Sequence, residues 1–128
     1  MQSKYVYGII EEPKSRRYEF CGLEDAGVYT INYQDVAAVV SDIGLQEIDP
    51  TRKNVRAHTI VQEELLKKYT VLPMGFGTVT ASEDSVRGLL EKNYGAVVKE
   101  LKRVLIRDLE RVRDTRWQPL SGQPFIGQ

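Results

Sequence analysis

The sequence predicts an α+β fold: one antiparallel-leaning sheet of four strands with two helices on one face. Three observations lead to this prediction. Short runs of β-branched and aromatic residues crowd the first third of the chain, and only two residues separate two of these runs. Two longer stretches with apolar residues at helical spacing follow. The expected order of elements is β-β-β-α-β-α.

The three N-terminal strands are predicted at residues 5–10, 28–33 and 36–43. Each is rich in valine, isoleucine or tyrosine, which favour strands. Gln34 and Asp35 alone separate the second strand from the third, and this spacing predicts a tight hairpin.

The first helix is predicted from about residue 50 to residue 69. Asp49 or Thr51 can cap its N-terminus, and Pro50 has the φ angle favoured at a first helical position. One mostly apolar stripe follows the helical period. Its members are Val55, His58, Val61, Gln62, Leu65, Leu66 and Tyr69.

Residues 70–82, TVLPMGFGTVTAS, predict the fourth strand. Because side chains alternate along a strand, one face carries large residues such as Phe76, while Gly75 and Gly77 leave the other almost bare. Glycine inside a strand marks a bulge or the close approach of another backbone, and we favour close approach by a partner or another segment. The stretch lacks the spacing and lysine of a phosphate-binding loop.

A second, long helix is predicted from the cap Ser82 to about Arg113. Its length of roughly 30 residues exceeds that of most globular helices, so we expect its far end to extend beyond the sheet. Leu105, Leu109 and Val112 continue the apolar stripe there and are predicted to bind a partner. Together, the predicted elements place a single α+β domain at residues 1–113. The order resembles a ferredoxin-like fold in which an extra hairpin replaces the first crossover helix.

Composition narrows the classes of function. The formal net charge is zero, whereas nucleic-acid binders usually carry a basic excess. No apolar run approaches the roughly 20 residues that cross a bilayer. We therefore expect neither a nucleic-acid nor a membrane partner. Cys21 is the single cysteine of the sequence, which excludes an intramolecular disulfide and suits the reducing cytoplasm.

His58 is the single histidine of the sequence. A metal site or an acid–base pair would need further ligands or partners at suitable spacing, and none is evident. A histidine on the apolar stripe of a helix is more often packed and hydrogen-bonded. We therefore expect no catalytic residue, metal or cofactor, with an enzyme that uses His58 as the rival hypothesis.

Four segments occur with the order and spacing of the gas vesicle protein F/L family (GvpF/GvpL): YVYGII, DVAAVVSDI, RAHTIVQEE and VLPMGFGTV. The resemblance covers about residues 4–110 and corresponds to the N-terminal domain. The positions that carry it are Tyr7, Gly8, Arg56, Ala57, His58, Leu72, Pro73, Phe76, Gly77 and Thr78.

The resemblance implies a non-enzymatic accessory protein of gas vesicle formation, cytoplasmic and gas vesicle associated. It implies binding to the small shell-forming gas vesicle protein and to other accessory proteins during nucleation or assembly. A homo-oligomer is a further expectation. Arg56 and His58 join Gly75, Gly77 and the end of the long helix as expected partner-binding residues.

Members of this family usually have a second domain after the long helix. Residues 114–128 are therefore expected to form a flexible tail or linker toward a second domain that is absent here. The alternative function is a stand-alone α+β module for ligand binding or regulation.

Overall fold

The computed structural model describes residues 3–44 and 47–114, with side chains through residue 109. The elements in chain order are β1 (Ser3–Glu11), β2 (Arg17–Cys21), a 3₁₀ turn (Leu23–Asp25), β3 (Gly27–Tyr33), β4 (Val36–Ile43), α1 (Arg52–Leu66), β5 (Val71–Pro73), β6 (Val79–Thr80), α2 (Glu83–Lys92) and α3 (Tyr94–Asp114). The predicted tail lies outside the described residues apart from Asp114, which ends α3.

The strands form one antiparallel sheet in the order β2-β3-β4-β1-β5, and β6 also pairs with β1. β1 is central, because β4 pairs along its length on one side and β5 and β6 pair on the other. The predicted hairpin is present, with Tyr33 opposite Val36. The α+β class and the antiparallel sheet are therefore confirmed, and the ferredoxin-like resemblance is only coarse.

The helices cover both faces of the sheet, which corrects the prediction of helices on one face. Alternate residues of β4 point to opposite faces. Ala37 and Val39 belong to the core cluster that contains α1, whereas Ala38 and Val40 belong to the cluster that contains α2 and α3. Since β4 is buried along nearly its whole length, both of its faces need a cover.

The second strand, β2, was not predicted. Its residues, RYEFC, alternate between exposed and half-buried, because β2 lies at the edge of the sheet and covers the core with one face only. Tyr18 and Phe20 form that inner face, with stacked rings whose centroids are 5.2 Å apart. The charged outer residues obscured the strand pattern.

The predicted long helix is two helices that meet at Asn93. The backbone of Asn93 leaves the helical region (φ −109°, ψ 16°), and its side-chain amide donates to the Leu89 carbonyl at 2.9 Å. A straight helix of about 30 residues would be roughly 45 Å long. The break allows α2 to pack on β3 and β4 while α3 packs on β5 and β1. The Tyr94 hydroxyl donates to Asp35 and fixes the start of α3.

The helix caps follow local sequence rules. Thr51, rather than Asp49, caps α1 and accepts a hydrogen bond from the Asn54 amide at 3.1 Å. Ser82 caps α2 as predicted and accepts from the Ser85 amide at 3.1 Å. Pro50 lies before α1, which ends at Leu66, three residues earlier than predicted.

Candidate functional site

The glycine-containing segment is an interrupted strand. Ile10 of β1 lies opposite Val71, and Lys4 lies opposite Thr80. From Ile10 to Lys4 the chain advances six residues along β1, whereas from Val71 to Thr80 it advances nine. The segment between β5 and β6 therefore has three extra residues, which loop out of the sheet. The prediction of one strand is correct in its pairing but wrong in its continuity. We call residues 74–78 the glycine loop.

Backbone hydrogen bonds to β1 fix both ends of the glycine loop. The Met74 amide donates to the Tyr7 carbonyl at 3.1 Å, and the Val6 amide donates to the Thr78 carbonyl at 2.9 Å. Between them, Gly77 has φ +89°, in the left-handed region that favours glycine. Backbone conformation is therefore the reason for glycine at this position.

The close backbone approach expected at Gly75 and Gly77 is not made by the described residues. Both glycines are exposed, and a Cβ added to either would meet no atom within 4 Å. Docking of a partner on this open surface remains a prediction.

Close approach occurs instead at two other glycines, where it was not predicted. A Cβ on Gly8 would lie 2.9 Å from Val71 Cγ1 and 3.0 Å from the Leu72 carbonyl oxygen. A Cβ on Gly22 would lie 2.0 Å from the Tyr7 hydroxyl. These glycines allow β5 and the 3₁₀ turn to pack against β1. A glycine inside or beside a strand was the only available sequence signal.

His58 is packed and hydrogen-bonded, as the sequence predicts. Its side chain is 6% exposed, and Nδ1 lies 2.8 Å from the Tyr5 hydroxyl. The Gly77 amide donates to that hydroxyl at 3.0 Å, and in the neutral imidazole with its proton on Nε2 the hydroxyl donates to Nδ1. Burial lowers the pKa of His58, opposed by a hydrogen bond to the Met74 backbone. His58 is therefore neutral at pH 7, and it supports the glycine loop through the Tyr5 hydroxyl.

A second buried network continues from Tyr7. Its hydroxyl donates to Ser41 Oγ at 2.8 Å and accepts the Leu23 amide at 3.0 Å. The Ser41 hydroxyl in turn donates to the Gly27 carbonyl at 2.7 Å. Burial raises the pKa of Tyr7. These groups are engaged with one another, so the network acts as a scaffold and presents no free nucleophile at the surface.

Gln62 joins the networks to the glycine loop. Its side-chain amide donates to the carbonyl oxygens of Tyr7 (2.9 Å) and Met74 (3.1 Å). Phe76 covers His58, with ring centroids 5.6 Å apart. The predicted strand alternation fails here, because the loop turns Phe76 toward the face that α1 covers.

The described residues contain no group of three or more histidine, cysteine, aspartate or glutamate side chains that could hold a metal ion. Cys21 is exposed on β2. Within the same ranges, no helix has the length and apolar character needed to cross a membrane.

The distal half of α3 carries an uncovered apolar surface. Val97 and Leu101 are buried, but Leu105, Ile106 and Leu109 are 46%, 55% and 61% exposed. We call these three residues the α3 ridge. Ile106 lies off the predicted stripe and was missed. The side chain of Val112, predicted as part of this surface, lies outside the described residues.

The predicted partner-binding residues do not converge on one site. Arg56 is exposed on α1, and the glycine loop packs through Phe76 on the same side of the sheet. The α3 ridge belongs to the helix on the opposite face. His58 is buried, so any effect of His58 on a partner must pass through the glycine loop.

The comparisons with known proteins all identify the same family. Residues 3–107 match the family described as gas vesicle synthesis protein GvpL/GvpF. Gas vesicle protein F1 of Halobacterium salinarum is 38% identical over 93 residues, which are 70% of this chain and 43% of that protein. Gas vesicle protein F of Haloferax mediterranei is 33% identical over 90 residues, 67% of this chain and 42% of that protein.

Solved structures share the fold. The crystal structure of GvpF from Anabaena superposes with a TM-score of 0.69 at 22% identity, covering 80% of this chain and 43% of that one. GvpF from Microcystis aeruginosa gives 0.67 at 18% identity, with 80% and 44% covered. The chain thus spans less than half the length of these relatives, which fits the predicted correspondence to one domain. Because the family match extends over most of the sequence, the chain belongs to the gas vesicle synthesis protein GvpL/GvpF family.

Proposed function

We propose that this chain is a non-enzymatic accessory protein of gas vesicle formation that binds the small shell-forming gas vesicle protein and other accessory proteins during nucleation or assembly. Membership of the GvpL/GvpF family supports the connection with gas vesicles. A cytoplasmic, gas vesicle associated location belongs to the same proposal, as does action without a cofactor.

The observation that carries the proposal is the α3 ridge. Its three side chains lie within little more than one helical turn and are about half exposed. Full burial of such a side chain is worth about 1.5–3 kcal/mol, so even partial burial of the three favours association. The exposed side chains of Lys102, Arg107 and Asp108 surround the ridge with both signs of charge. An apolar centre with a charged rim is the usual composition of a protein–protein interface.

We assign the ridge to the shell-forming protein, because the family is named for gas vesicle synthesis and the ridge is a continuous apolar surface on the distal part of α3. The glycine loop and Arg56 lie on the opposite face and are proposed to contact a different gas vesicle protein. A binding surface on each face of the sheet would let one small domain bring two gas vesicle proteins together.

The test compares two exposed leucines on different helices. Leu109→Asp changes the α3 ridge, and Leu89→Asp changes a leucine on α2 that is 53% exposed. Both variants are expected to melt within a few degrees of the parent, since neither side chain is buried. We expect Leu109→Asp to reduce co-purification of co-expressed shell protein and Leu89→Asp to leave it unchanged. Equal retention by both variants, or equal loss, would refute the assignment of the ridge.

A further inference from the structure

We propose a third docking surface, at the β2 edge of the sheet, that binds an extended acidic segment of a partner protein as an added strand. This surface is separate from the α3 ridge and from the glycine loop, and it does not depend on which protein binds either of them.

The backbone edge of β2 is open. Within the described residues, β2 pairs with β3 alone and ends the sheet. Toward β3, the Arg16 carbonyl accepts from the Thr30 amide at 3.0 Å, and the Gly22 amide donates to the Ala26 carbonyl at 2.8 Å. Backbone groups of successive strand residues alternate in direction. These bonds therefore place the amides and carbonyls of Arg17 and Cys21 on the open edge, on either side of a register irregularity within β2, and a strand can add there.

A groove lies beside this edge. A cavity of ≈ 670 Å³ lies between β2 and the C-terminal end of α1. Its apolar and aromatic lining comes from Tyr18, Phe20, Leu65 and Tyr69. Alternate side chains of an added strand would point into this groove, which gives such a strand a place for apolar residues.

A buried carboxylate holds the groove in shape. Glu12 is 7% exposed and accepts hydrogen bonds from the Tyr69 hydroxyl (2.9 Å), Arg16 Nε (3.0 Å) and the Lys14 amide (3.2 Å). The Tyr18 hydroxyl donates to that of Tyr69 at 3.1 Å. Burial opposes ionisation of Glu12, but these hydrogen bonds outweigh it and lower the pKa. Both tyrosines are thus oriented before a partner arrives, which reduces the entropy lost on binding.

The charge around the groove selects the occupant. The charged residues that line the groove are basic in four cases and acidic in two: Arg16, Arg17, Lys67 and Lys68 against Glu19 and Glu64. The side chains of Arg17 and Glu19 point to the face of β2 opposite Tyr18 and Phe20. Lys67 pairs with Glu64 at 2.9 Å. Arg17 lies 5.0 Å from the centre of the Tyr29 ring, and within the described residues no carboxylate pairs with it or with Lys68. Both cations are therefore available to carboxylates of an incoming strand, Arg17 from the face of β2 opposite the groove.

A labelled peptide of alternating valine and glutamate, seven residues long by design, is a suitable probe for strand addition with the full chain. Binding is measured by fluorescence anisotropy. The double variant Arg17→Glu, Lys68→Glu should weaken binding by about tenfold, since two attractive contacts become repulsive. The matched control Lys53→Glu, Lys92→Glu makes the same change of net charge at exposed sites on α1 and α2. It should change binding by less than about twofold. Thermal melting of both double variants checks that they fold.

Three further peptides separate strand addition from charge attraction. Methylation of one alternate set of peptide amides should abolish binding, whereas methylation of the other set should leave it intact, because an added strand donates to β2 from one side only. A peptide with lysine in place of glutamate should not bind. The proposal is overturned if the glutamate peptide does not bind, if both methylation patterns act equally, or if the control variant weakens binding as much as the groove variant.

Discussion

Replacement of Tyr5 by phenylalanine tests whether the glycine loop depends on one buried hydroxyl. Tyr5 is fully buried. Its hydroxyl lies 2.8 Å from Nδ1 of His58 and accepts the Gly77 amide at 3.0 Å. Phenylalanine removes both hydrogen bonds but keeps the ring, which packs against Tyr7 and Phe76 at centroid distances of 4.9 and 6.2 Å.

The expected loss of stability follows from the two groups left behind. His58 Nδ1 would lose its donor in a site that is 6% exposed, and an unsatisfied buried acceptor costs about 1–3 kcal/mol. Gly77 lies in an exposed loop, so its amide can turn to water and adds little. We therefore expect Tyr5→Phe to lower the free energy of unfolding by about 2 kcal/mol.

Urea denaturation measures this loss as a fall in the midpoint of about 1 M with an unchanged slope. Hydrogen exchange at the Gly77 amide should accelerate as well. The control is Tyr33→Phe, because the Tyr33 hydroxyl makes one exposed, long contact with Gln34 at 3.4 Å. It should lower the free energy of unfolding by less than about 0.5 kcal/mol. If the two variants lose the same stability, the hydroxyl of Tyr5 does not support the loop in the way described.

Two other predictions concern His58 and the glycines. Because burial lowers the pKa of His58 below its ordinary value of 6.5, its contribution to stability is complete above that pH and falls as pH drops through the folded-state pKa. Urea unfolding from about pH 7.5 to about pH 5.5 should show the free energy of unfolding falling with pH, and His58→Gln should abolish this dependence. A dependence that persists in the variant would contradict its assignment to His58. Gly22→Ala should cost about 1–3 kcal/mol, since its Cβ would lie 2.0 Å from the immobile Tyr7 hydroxyl. Gly88→Ala on α2, with nothing within 4 Å, should instead stabilise by about 0.5–1 kcal/mol, and melting shifts of the same sign would refute the contrast.

Several features could be predicted from the sequence because short-range rules decide them. The two-residue connection between β3 and β4, the caps Thr51 and Ser82 and the amphipathic period of α1 each depend on residues within a few positions of one another. The family resemblance was available for the same reason, since its segments are contiguous. The end of the long helix could also be identified as uncovered, because its apolar stripe continues past the length that a small sheet can cover.

The tertiary structure alone decided the rest. Tyr18 meets Tyr69 across 51 residues of sequence, Tyr69 meets Glu12 across 57, and the Gly77 amide meets Tyr5 across 72. Such contacts depend on strand register and on which face each helix covers, and no local period encodes either. For this reason β2, the looped-out glycines, the break at Asn93 and the groove beside β2 emerged only when the distant segments were placed side by side.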